Sequence, residues 1–249
     1  MICLKTPPQI EILDQANIIV QNILDFAERS LKSGITTKEL DFILEKELTT
    51  YDATPAFKNY HGFPSTTCIS INEEVVHGVP SDRVIKDGDL VSVDFGVYYK
   101  GFYGDGARTF IVGSSNDIDK RLVVETKGAL HAGIEKMVVG NRLFDICNAI
   151  ESVAKENKFS VVKGFSGHGI GASLHEEPHV FNYIDLHEPN VRLQEGMVLA
   201  LEPMFYLGKG GVIIDSQDKW TVRTIDKSKS CHWELCAAIT SYGPRILGI

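Results

Sequence analysis

Leu90-Val-Ser-Val-Asp94-Phe-Gly-Val-Tyr-Tyr-Lys100-Gly-Phe-Tyr-Gly-Asp105-Gly-Ala-Arg-Thr-Phe-Ile-Val112 is the stretch from which the architecture can be read. Val91, Val93, Phe95 and Val97 alternate with smaller or polar residues, and a second extended run covers Ala107 to Val112. Period-two alternation around a turn predicts a β-hairpin. Asp94 and Asp105 lie on its two arms, and a tight turn centred near Tyr99-Lys100 sets them opposite each other. Opposed residues hold their Cβ atoms about 4.5–5.5 Å apart, where like charges are destabilising. Asp is also depleted in strands. A divalent cation held by both carboxylates is the simplest compensation. The alternative is a surface hairpin whose register parts the two acids.

Outward from the hairpin, the period changes to that of helices. Ile10, Leu13, Ile19, Ile23, Phe26 and Leu31 predict a helix from about Pro8 to Lys32, stopped by Ser33-Gly34. Thr36 with Glu39 forms a capping-box pattern that opens a second helix through Leu40, Phe42, Ile43 and Leu48. Ala53 to Pro80 is rich in turn residues and aromatics, with a strand expected at Thr67 to Ile71. After the hairpin, helices are expected over about Asn116 to Val138 and Arg142 to Lys158. A strand from Phe159 to Val162 then leads into the glycine-rich stretch Gly164 to Gly171, and strands and turns fill Met197 to Gly248. The order helix, helix, hairpin, helix, helix, strands implies an α+β chain of two similar αβ halves. With no low-complexity linker or charge block, a single domain over residues 1–249 is expected.

Composition excludes several classes. The 249 residues are 43% hydrophobic and 23% charged, as in ordinary globular proteins. With 25 Lys and Arg against 33 Asp and Glu, the net charge is −8, a poor match to a nucleic-acid backbone. No apolar run approaches the ~18 residues of a membrane span, and Met1 to Lys5 does not open a secretory signal. Cys3, Cys68, Cys147, Cys231 and Cys236 form no CxxC pair, so reduced thiols of a cytoplasmic protein are expected.

Three further segments carry chemistry. Gly164-Phe-Ser-Gly-His168-Gly-Ile-Gly171 sets a histidine among glycines, which let a ligand or a second backbone approach closely. Neither GxGxxG nor GxxxxGK[ST] occurs, and His175-Glu176-Glu177-Pro178 is not an HExxH helix. Leu201-Glu202-Pro-Met204 follows an apolar run, Met197 to Ala200, and Glu234 sits in Cys231-His-Trp-Glu-Leu-Cys-Ala-Ala238. An acid in such a place is costly unless paired or ligated. Taken singly, each has a plain structural reading: a loop histidine, an edge-strand charge facing water. Together, Asp94, Asp105, Glu202 and Glu234 carry four negative charges and His168 adds one imidazole, a donor set that suits two ions of Mn, Fe, Co or Zn. Two such ions, ~3.5–4 Å apart, can clamp and ionise a water for hydrolysis. No GxSxG elbow is present, and Cys68 reads as a core or pocket residue rather than a nucleophile.

The constellation resembles methionine aminopeptidase, type I, of the pita-bread metallopeptidase family. The resemblance runs from Lys5-Thr6-Pro7 to the last strands. It is carried by Tyr60-His-Gly-Phe-Pro64, Cys68-Ile-Ser-Ile-Asn-Glu73, His77-Gly-Val-Pro80, Gly167-His-Gly-Ile-Gly171 with His175-Glu-Glu-Pro178, and Glu202-Pro-Met204. It implies a pita-bread fold, two pseudo-symmetric αβ halves with a central antiparallel sheet covered by helices. It implies two divalent metal ions (Co, Mn, Fe or Zn): Asp94 on one, Asp105 and Glu234 bridging, His168 and Glu202 completing the other. A dinuclear metal-bound water would attack, with Glu202 as general base and proton shuttle. His175 would hydrogen-bond the developing oxyanion, and His77 would contact the nitrogen after the scissile bond. Phe57, Tyr60, Phe63, Cys68, Leu174 and Trp220 map onto the methionine pocket.

The implied activity is removal of N-terminal methionine from nascent proteins and peptides when the second residue is small, by a cytoplasmic monomer. The ribosome is left open as a partner, and no membrane or nucleic-acid recognition is expected. Ala172, Leu174, Leu235 and Cys231-His232-Trp233 depart from the usual family pattern. An X-Pro peptidase is the nearest rival, but such enzymes generally carry a large extra N-terminal domain. A type II methionine aminopeptidase would need a helical insertion between His175 and Glu202. A catalytically dead pita-bread protein usually lacks ligands that this chain keeps.

Overall fold

The computed structural model describes residues 2–249. Helix α1, Pro7–Ser30, starts on a Thr6–Gln9 capping box with proline in its first turn, where the missing N–H costs nothing. It buries Leu13, Val20, Ile23 and Leu24 completely, each side chain contributing about 1.5–3 kcal/mol of transfer free energy. Helix α2, Thr37–Leu48, has the expected Thr36–Glu39 box. Its buried stripe is Leu40, Leu44 and Leu48, so Phe42 falls half a turn away and is 68% exposed. Helices α3, Asp117–Ile134, and α4, Leu143–Asn157, complete the set.

A nine-stranded antiparallel sheet forms the centre. Its main path runs Thr54–Pro55, Leu90–Tyr99, Phe102–Ile111, Glu234–Thr240, Val198–Leu201, Ser166–Gly169, Glu176–Phe181. Thr67–Ile71 pairs with Leu90–Tyr99, and Gly243–Ile246 with Glu234–Thr240. One core packs α1 and α2 on Ile69, Ile71, Val91, Val93, Phe95 and Val97. The other packs α3 and α4 on Leu199, Leu201, Leu235 and Ala237. This is the pita-bread architecture expected, with both helix pairs on one face.

The hairpin register differs from the expectation. Its two-residue turn is Lys100-Gly101, both at positive φ (48° and 90°), as the type I′ turn favoured by strand twist requires. Tyr99 therefore pairs with Phe102, Asp94 with Ala107, and Asp105 with Gly96. The acids share a face but sit diagonally, about 7–8 Å apart along the backbone rather than head-on.

Candidate metal centre

Four neighbouring strands, and the residue just past the end of a fifth, each bring one donor to the sheet face that the helices leave uncovered. Asp94 and Asp105 come from the hairpin, and Glu234 opens its strand opposite Ala107. Glu202 lies one residue past Leu201, which pairs with Leu235, and His168 pairs with Ala200. The glycines beside His168 make the approach possible. A Cβ on Gly167 would stand 2.3 Å from the Ala200 carbonyl oxygen, and one on Gly169 2.3 Å from that of Glu177. His168 is thus on a strand, not in a glycine-rich loop, and the glycines serve strand packing rather than phosphate binding.

Donor atoms of Asp105, His168 and Glu234 all fit within 4.8 Å of one another. His168 Nε2 lies 3.8 Å from Asp105 Oδ2 and 4.0 Å from Glu202 Oε1. The His168 Nδ1–H donates to the Gly169 carbonyl at 2.9 Å, which leaves Nε2 as the free lone pair aimed into the cage. Asp94 Oδ1 and Glu234 Oε1 are buried without a hydrogen-bond partner among the described residues. Burial, reinforced by the neighbouring acids, pushes the carboxyls of Asp105 and Glu234 far above the usual range, and burial raises Asp94 and Glu202 as well. Four desolvated acids and one imidazole lone pair are a costly arrangement alone and a fitting donor set for divalent cations.

The cage opens into a cavity of about 220 Å³ walled by Phe57, Tyr60, Phe63, Cys68, Leu174 and Trp220. Phe63 and Trp220 meet edge to face at 5.3 Å. Burial raises the Cys68 thiol well above its ordinary range, so it is a neutral, polarisable wall residue rather than a nucleophile. His77 and His175 flank the mouth. Burial first, and neighbouring histidines second, hold both below the ordinary histidine value, His77 at about 4. Tyr60 Oη lies 2.8 Å from His175 Nδ1. When the hydroxyl donates there, the ring carries its proton on Nε2 and becomes a donor.

All thirteen residues singled out from the sequence as ligands, catalytic groups or pocket walls line this one cavity. The sequence reading missed His61, which lines the mouth against Tyr60 at 4.4 Å. It also missed Asn17, whose Oδ1 receives the Asp105 N–H at 3.4 Å, and Asn182, whose amide donates to the Glu202 carbonyl at 2.9 Å. Asn17 was detectable as a polar residue on the apolar stripe of α1. Of the atypical positions, Leu235 packs in the α3–α4 core, on the sheet face away from the cage, and Ala172 is exposed.

The model of metallopeptidase family M24 matches residues 11–240. The chain belongs to metallopeptidase family M24. Within M24 it stands with the type I methionine aminopeptidases, and it is an enzyme of that class. It is 44% identical over 248 residues to the methionine aminopeptidase of Clostridium acetobutylicum, covering 99% of this chain and 98% of the relative. The crystal structure of methionine aminopeptidase from Rickettsia prowazekii superposes with a TM-score of 0.96 at 37% identity, covering both chains fully. The prolidase from Pyrococcus furiosus shares the fold at a TM-score of 0.80 and 25% identity, but this M24 chain spans only 65% of it. Among the described residues no helix is long and apolar enough to cross a membrane.

Proposed function

We propose that this M24 enzyme, as one monomeric domain over residues 1–249 in the cytoplasm, releases methionine from the N-terminus of nascent proteins and peptides whose second residue is small. The observation that carries this reading is the direct opening of the five-donor cage into an aromatic-walled cavity with a thiol on its wall. A methionine thioether gains from aromatic contact, and a pocket of this size accepts one side chain. The continuous sheet through both halves supports the single domain.

Asp94, Asp105, His168, Glu202 and Glu234 would hold two divalent ions. Bound cations would polarise the scissile carbonyl and make water acidic near neutral pH. The chain's own residues do the rest. Phe57, Phe63, Cys68, Leu174 and Trp220 seat the side chain and exclude water. Glu202, at the edge of the cage, takes the proton from the attacking water and passes it to the departing nitrogen. His175, with its Nε2–H free, donates to the carbonyl oxygen as it gains charge. His77 contacts the nitrogen of the second residue. Being neutral, both imidazoles can donate without adding positive charge beside the cations.

The test is metal-stripped protein resupplied with Co or Mn and assayed on Met-Ala-Ser and Met-Gly-Met-Met. Free methionine should appear with both peptides and far more slowly with Met-Leu-Ser. His77→Ala and His175→Ala should each cut turnover about 100-fold while metal content stays that of the parent. Silence with both metals would overturn the reading, and loss of metal from either histidine variant would overturn the division into ligands and catalytic groups.

A further inference from the structure

One polar group beside the cage has no role in the reading above. His232 belongs to the atypical Cys231-His232-Trp233 stretch and is 1% exposed. Its Nε2 has no hydrogen-bond partner among the described residues. That atom stands 3.6 Å from Glu202 Oε2, while His168 approaches the other oxygen, Oε1, at 4.0 Å. The carboxylate therefore lies between two imidazoles, one for each oxygen. They are not equivalent. His168 has its proton committed to a carbonyl on Nδ1 and presents a lone pair, whereas an Nε2 that faces a carboxylate oxygen is favourable only as a donor.

The His232 backbone is clasped from both sides. Its N–H donates to Thr109 Oγ1 at 2.9 Å, and Thr109 Oγ1 donates to the His232 carbonyl at 2.8 Å. With that proton used, Ser92 Oγ donates to Thr109 Oγ1 at 2.8 Å. Ser92 and Thr109 lie on the two arms of the hairpin that carries Asp94 and Asp105. Strand pairing also sets His232 opposite Met204, two residues beyond Glu202. The hairpin that supplies Asp94 and Asp105 thus also fixes the His232 backbone from which this ring projects.

We infer that His232 is a positioning residue for Glu202: its Nε2–H donates to Oε2, holding the carboxylate plane so that Oε1 faces the cage. A small turn of the Glu202 side chain closes the gap to the ~2.9 Å of an N–H···O bond. A carboxylate that must both ligate and accept a proton cannot do either well if it rotates. A buried oxygen left unpaired is costly as well. The inference rests on the role proposed for Glu202.

His232→Gln and His232→Met separate the hydrogen bond from the packing. The glutamine amide can set an N–H where Nε2 stands, while methionine has similar length and no donor. Two readouts apply: kcat and KM on Met-Ala-Ser, and Mn(II) affinity by chelator competition without substrate. H232M should lower kcat about 30-fold with KM little changed, and weaken Mn(II) binding about tenfold, the scale expected when a ligand loses its orienting partner. H232Q should recover most of both. In a Glu202→Gln background the Met substitution should no longer change Mn(II) affinity. Equal behaviour of H232M and H232Q in both readouts, or an Mn(II) penalty that persists without the Glu202 carboxylate, would overturn the inference. His232→Leu replaces H232M if that variant does not fold. A parent protein that cleaves no peptide would sink the proposed function and leave the Mn(II) comparison to decide this inference.

Discussion

The strand Leu90–Tyr99 has two faces that obey opposite rules. Val91, Val93, Phe95 and Val97 are fully buried and pack in the core under α1 and α2. Ser92, Asp94 and Gly96, one step out of phase, face the cage side. Asp94 is as buried as a core residue yet has an oxygen without a partner. One face spends its burial on stability. The other holds desolvated charge that makes the folded chain less stable until cations arrive. The same 10 residues therefore carry apolar packing on one face and desolvated charge on the other.

The sharpest way to break this comparison is to change one side and measure both properties. Asp105→Asn should cost at least about 1,000-fold in kcat, roughly 4 kcal/mol of transition-state stabilisation. The metal-free protein should meanwhile melt higher than the parent, because a buried like charge is gone. A lower melting temperature in the metal-free variant would show that the acids are not in conflict. Phe95→Ala, on the opposite face, should do the reverse. It should destabilise by about 3–5 kcal/mol through cavity formation, a fall in Tm of roughly 10 °C at 2–4 °C per kcal/mol for a chain of this size, while kcat of the folded enzyme stays within a few-fold of the parent.

The smallest effect is a pH slope. The folded-state pKa values of Asp94 and Glu202 are raised, to about 7 and about 8, and those of Asp105 and Glu234 further. A raised carboxyl binds its proton more tightly folded than unfolded, so its contribution is lost as pH rises through the folded value. His168 and His77 are depressed, to about 3 and about 4, and penalise folding only once pH drops below the ordinary histidine value of 6.5. Between pH 6.5 and 8, below the ordinary thiol value, the acids set the sign. The metal-free protein should lose stability by about 1–3 kcal/mol over that interval, and saturating Mn(II) should flatten the slope, as read by urea midpoints at each pH. A metal-free midpoint that holds constant or rises would contradict the burial of ionisable acids on this face.

How much was legible follows the same division. Helices α1 and α2 were readable from apolar spacing and capping boxes, because those signals are local. The hairpin was readable, but its register was not. Tyr99-Lys100 and Lys100-Gly101 are both possible turn centres by composition, and only the freedom of Gly101 at φ 90° decides between them. The glycines around His168 looked like a ligand-binding loop. Their reason is the Ala200 and Glu177 carbonyls pressed against them, from residues 8 to 33 positions away.

His232 shows the limit most clearly. A histidine two residues before an acid in an apolar run carries no sign of whether it faces helices, solvent or a carboxylate. What the residues determined alone was the alternation, the helix caps, the excess of acids in apolar company and the motifs that mark an M24 metallopeptidase, since each is a property of neighbours along the chain. What only the folded chain decided was which oxygen faces which nitrogen. That depends on strand register and side-chain rotamer, and a shift of two residues or one torsion moves a donor by several ångströms.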